Sequence, residues 1–134
     1  MTEEELLRQP ADAYMNAQQQ AFFKALLLEQ RRTIQQDIQS GFAELKQHEP
    51  SSDPADTGSA EEQRQWNLRL MEREKKLLDK IDGALNRLAQ GEYGWCAETG
   101  EPIGLRRLLI RPTATLCIEA KERQESRERH LREG

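Results

Sequence analysis

The sequence predicts a mainly α protein: a long antiparallel coiled-coil hairpin with a small, metal-free, zinc-finger-like head and a C-terminal helix. Three observations lead there. Two stretches of about 32 residues, each with one apolar stripe at helical spacing, flank a short polar segment rich in turn formers. Cys96, Thr99, Cys117 and Ala120 then reproduce the spacing of a double Cys-x-x-Cys zinc frame, with seventeen residues between Thr99 and Cys117. A highly charged tail without Gly or Pro before Gly134 reads as a last helix.

Residues 1–15 begin acidic, turn around Pro10, and read as an N-terminal segment that is either a short arm or partly disordered. The hairpin spans 16–90. Asn16 is a candidate N-cap, with Gln19 in capping-box position. The first helix carries Phe23, Leu27, Ile34, Ile38, Phe42 and Leu45 as its stripe, interrupted by no proline up to His48. Residues 49–59 hold two prolines, a glycine and several Ser, Thr and Asp, and form the tip. Ser59-Ala-Glu-Glu62 is a second capping box, although Asp53 or Asp56 is placed to cap an earlier start. The second helix carries Trp66, Leu70, Leu77, Ile81, Ala84 and Leu88, close to a heptad seam. Equal arms around a tight turn favour pairing within the chain, so a monomer is expected.

Gly91 and Gly94 stop the hairpin. The head covers 91–116, with Leu108-Leu-Ile110 as a candidate short strand, and the C-terminal helix covers 117–134. The head's metal chemistry is incomplete. A closed zinc site takes four Cys or His ligands in a tetrahedron, whereas two thiolates, a hydroxyl and a methyl do not make one. His48 and His130 lie too far along the chain to replace Thr99 and Ala120. No bound metal is therefore expected. Cys96 and Cys117 read first as packed thiols among Trp95, Ile103, Leu105 and Ile118, and second as a thiol pair activated by nearby arginines.

Composition narrows the function. The net charge is −4, charged residues make up 33% of the chain and aromatic residues 5%. An acidic chain without a basic run is a poor candidate for non-specific binding of nucleic-acid phosphates. No apolar run reaches the ~18 residues of a membrane span. The acidic N-terminus lacks a signal-peptide pattern, which makes the cytoplasm the expected location and thiols the expected state of the two cysteines.

One order of motifs is specific: Asp53-Pro-Ala-Asp56 at the tip, Gly91-Glu-Tyr-Gly-Trp-Cys96, Ile103-Gly-Leu-Arg-Arg107, Arg111-Pro-Thr-Ala-Thr-Leu-Cys117, then a charged helix. It resembles the DksA/TraR family of RNA polymerase regulators from about Tyr14 onward, and most closely the paralogues that lack the full zinc quartet. Gly58 stands where the family's tip pattern has alanine.

The resemblance implies a transcription regulator rather than an enzyme, one with no direct sequence-specific DNA binding. It implies entry of the hairpin into the secondary channel of RNA polymerase and contact with the channel rim. Promoter-complex stability, including that of ribosomal RNA promoters, would change in concert with ppGpp. It implies that Asp53 and Asp56 act near the polymerase active site and that Arg73 and Leu77 contact polymerase. Leu77, Lys80, Arg111 and Lys121 fall at the family's ppGpp-binding positions. Unaided, the aspartates read as helix caps and the cations as solvated surface charges. A transcript-cleavage stimulator of the Gre kind, and a coiled-coil scaffold unrelated to polymerase, are the alternatives.

Overall fold

The computed structural model describes residues 1–47 and 54–133. Within them are helices α1 (Glu3–Arg8), α2 (Ala17–Gln47), α3 (Pro54–Gln90), α4 (Leu105–Ile110) and α5 (Ile118–Glu133), with a 3₁₀ turn at Ala11–Ala13. α2 and α3 pack together as the expected coiled-coil hairpin. No helix among the described residues is long and apolar enough to cross a membrane. The chain separates into two compact units, Leu28–Ile81 and Met1–Leu27 with Asp82–Gly134.

In the unit Leu28–Ile81, the α2 seam includes Ile34, Ile38, Gly41 and Leu45, and the α3 seam includes Asn67, Met71, Glu74, Leu78 and Ile81. This corrects part of the expected stripe. Trp66, Leu70 and Leu77 lie one position away from the seam and are 52%, 38% and 44% exposed, and Phe42 is exposed beside Gly41. The reading followed the most hydrophobic residues, whereas the packed register buries Asn67 in their place. Gly41 gives Met71 room: a Cβ there would stand 3.1 Å from Met71 Cγ. Asn67 accepts from the Gln63 amide at 3.1 Å, but its own Nδ2 has no partner. Glu74 faces Asp37, and burial together with that like charge raises its carboxyl above the usual range.

The second unit begins with α1. Thr2 caps it by accepting the Glu5 N–H at 3.1 Å, three glutamates occupy its first turn, and Leu6 is fully buried. Of the two readings of this segment the arm holds, with a capped, anchored helix over 3–8. Asn16 caps α2 as expected, accepting the Gln19 N–H at 2.8 Å. Gln19 completes the box one residue further out, because its side chain accepts from Met15 N. Leu6, Phe23, Leu27, Leu108 and Ala120 are the fully buried apolar residues of this unit, and Ala84 and Tyr93 are nearly so.

Two further expectations change. α3 starts at Pro54, so residues 54–59, assigned to the tip, are helical. Proline suits the first helical position because its missing N–H would be unpaired there anyway. Leu108–Ile110 is not a strand: it belongs to α4, where Leu108 is fully buried and Ile110 is 80% exposed. A strand would place both on one face, and helical spacing separates them.

Candidate functional site

The head grows directly from the end of α3. Gly91, at φ 76°, closes a Schellman motif in which Glu92 N–H reaches Arg87 O at 2.9 Å and Gly91 N–H reaches Leu88 O at 3.2 Å. The Arg87 guanidinium then donates to Trp95 O at 2.7 Å, fixing the chain as it leaves the helix. A tight turn follows. Gly100 N–H donates to Cys96 O at 2.9 Å, Cys96 N–H to Glu101 O at 2.7 Å, and Trp95 bridges Pro102. Ala97 N–H donates to Thr115 O at 2.8 Å, which brings the approach to Cys117 alongside this turn. Cys117 caps α5, its carbonyl accepting Lys121 N–H at 3.0 Å.

The four positions of the zinc frame are thereby gathered. Cys96 and Cys117 are buried free thiols, and Ala120 is fully buried. Thr99 Oγ1 lies 3.9 Å from Cys117 Sγ and also bonds the Cys96 sulfur. Burial alone pushes the Cys96 thiol up. The Thr99 hydroxyl and the N–H groups of Cys117, Thr99 and Glu98 overcome that effect and bring it down to about 6. In the Thr99–Cys117 pair either atom can be the donor. Glu101 N–H adds a second bond to the same oxygen at 3.2 Å.

This arrangement does not fit zinc. The third position is a hydroxyl engaged with both sulfurs, and the fourth is a buried methyl. Among the described residues no group of three or more His, Cys, Asp or Glu side chains is placed to hold a metal ion. The cysteines are buried and free, and polar groups around Cys96 favour its ionised form.

Asp53 lies outside the described residues. Asp56 is in the first turn of α3. Arg73 and Lys80 are exposed on α3, as is Leu77, one turn from each. Arg111 is exposed at the C-terminal cap of α4, where its N–H donates to Arg107 O at 2.8 Å. Lys121 is half-buried in the first turn of α5 and donates to Gln124 Oε1 at 3.0 Å.

Sequence reasoning missed Tyr14. Its hydroxyl donates to Gly94 O and accepts Gly104 N–H at 3.0 Å, while its ring meets Trp95 edge-on at 5.1 Å. Burial raises the phenol above its usual range, against the effect of the backbone bonds from Gly104 and Ile103. The cap of α1 was visible as Thr2 followed three residues later by Glu5. The partners of Tyr14, eighty and ninety residues away, had no local signal.

A helical hairpin whose head keeps the spacing of a two-knuckle zinc finger, with half the ligands replaced, defines a narrow class. Residues 19–88 match the family described as DnaK suppressor protein DksA, N-terminal domain, and residues 91–126 the prokaryotic dksA/traR C4-type zinc finger. The chain belongs to the DksA/TraR family. A relative from Caulobacter vibrioides named RNA polymerase-binding transcription factor DksA is 46% identical over 88% of this chain and 84% of its own length. The Escherichia coli protein of the same name is 34% identical over 91% and 82%. The solved structure of transcription factor DksA2 from Pseudomonas aeruginosa is 70% identical, covers 96% of this chain and 100% of its own, and superposes with a TM-score of 0.88. An RNA polymerase binding protein and transcriptional regulator from Chlamydia trachomatis is 26% identical over 84% and 93%, with a TM-score of 0.52.

Proposed function

We propose that this chain is a cytoplasmic, monomeric, non-enzymatic regulator that binds RNA polymerase through its secondary channel and alters promoter-complex stability together with ppGpp, without requiring zinc. The observation that carries the reading is similarity along both hairpin and head to relatives named as RNA polymerase-binding transcription factors. Asp53 and Asp56 act at the tip, where paired carboxylates suit a channel that is cationic or holds Mg²⁺. Arg73 and Leu77 contact polymerase. Leu77, Lys80, Arg111 and Lys121 bind ppGpp, the cations meeting its phosphates. Metal independence is supported by Thr99, whose hydroxyl links the two sulfurs that zinc would otherwise join.

The test is transcription in vitro from a ribosomal RNA promoter with chelator-treated protein and graded ppGpp. Shortened open-complex lifetime, deepened by ppGpp and unaffected by added zinc, is the expected result. Unchanged lifetime and yield would refute the regulatory reading. Asp56→Asn should abolish the effect while leaving polymerase affinity nearly intact.

A further inference from the structure

We propose that Cys96 and Cys117 form a two-coordinate site for a soft monovalent d¹⁰ ion, of which Cu(I) is the biological example and Ag(I) the stable probe. Loss of two ligands does more than remove zinc. It leaves a different donor set: two buried sulfurs, both within hydrogen-bond reach of the single Thr99 hydroxyl. Zn²⁺ needs about four donors in a tetrahedron, and Ala120 presents a methyl where the fourth would stand. Thiolates without oxygen or imidazole companions select soft ions such as Cu(I), which are satisfied by two of them.

The surroundings suit the resulting complex. Two thiolates around a single positive ion carry one net negative charge. N–H groups of Glu98, Thr99 and Cys117 already point at the Cys96 sulfur. Cys117 stands at the N-terminus of the sixteen-residue α5, the end of a helix that favours negative charge. Binding releases the thiol protons to solvent and changes no oxidation state. Residues 97–100, the turn that follows Cys96 and carries Thr99, are all exposed.

The experiment uses the reduced full-length protein under anaerobic conditions, titrated against Cu(I) held by a chromophoric chelator. The protein should withdraw one equivalent of copper and compete poorly for Zn²⁺ held by a zinc indicator. Cys96→Ser and Cys117→Ser should each weaken copper binding by about 100-fold or more, since loss of outer-shell partners alone costs about 10–100-fold. X-ray absorption at the copper edge of the wild-type complex provides a reading that does not depend on whether those variants fold. Two sulfur neighbours are expected. Coordination by nitrogen or oxygen, failure to withdraw copper, or equal binding by folded serine variants would overturn the proposal.

Discussion

Thr99 is the residue at which this head departs most clearly from a metal-bound one. Its hydroxyl lies 3.9 Å from the Cys117 sulfur and, with the N–H groups of Cys117, Thr99 and Glu98, brings the Cys96 thiol down to about 6 from an ordinary value near 9.0. The folded state therefore binds fewer protons than the unfolded chain between those values. The linked stability is fully present above about pH 9 and is lost as pH falls through about 6. Thiolate absorbance followed against pH should show the wild-type midpoint near 6. Thr99→Val should move that midpoint upward and flatten the rise of thermal stability with pH. An unmoved midpoint would assign the effect to the backbone N–H groups alone.

At the scale of the element, α3 contains two local misfits. Gly83 sits exposed in the helix with nothing within 4 Å of an added Cβ. Gly83→Ala should stabilise the protein by about 1 kcal/mol through helix propensity, read as a higher urea midpoint with unchanged slope. Asn67 is buried in the seam with an orphan amide donor. Asn67→Leu should raise stability by about 1–3 kcal/mol, because an unpaired buried polar group is removed. A buried seam asparagine also restricts pairing register, so amide exchange along the hairpin should show whether the leucine variant samples others. The existence of both long helices was legible from periodicity, but the register of α3 was not. Trp66, Leu70 and Leu77 are spaced as a stripe in their own right, and only the facing Ile34, Ile38 and Gly41 select the neighbouring one. α4 was misread for a related reason: three consecutive apolar residues have no period, and burial of Leu108 settles the choice.

At the scale of the whole molecule, contacts across long sequence separations build the head. Tyr14 reaches Gly94 and Gly104 with one hydroxyl, and Gly94 is confined both by φ 89° and by Met15, whose Cγ would lie 2.9 Å from an added Cβ. Tyr14→Phe should cost about 1–3 kcal/mol, since Gly104 N–H loses its acceptor while Gly94 O keeps only the Ile103 N–H. Differential scanning calorimetry would show the loss, and an unchanged transition would make the latch superfluous. The inferred retention of the zinc geometry has its own test. Thr99→Cys combined with Ala120→Cys should restore tight binding of one Zn²⁺, with a gain in head stability reversed by chelator. Failure to bind would mean that the frame has drifted from a tetrahedron.

The sequence by itself determined the hairpin, the frame spacing and the family, because helical periodicity and motif order are local and linear properties. It also exposed the missing ligands, since Thr99 and Ala120 cannot act as thiolates. Only the tertiary structure decided which α3 face is buried, that residues 3–8 are an anchored helix, that Tyr14 latches the head, and that Thr99 bonds both sulfurs. Each depends on which distant groups meet: a seam is chosen by its partner, and a hydroxyl gains its role from the two cysteines that folding brings to it.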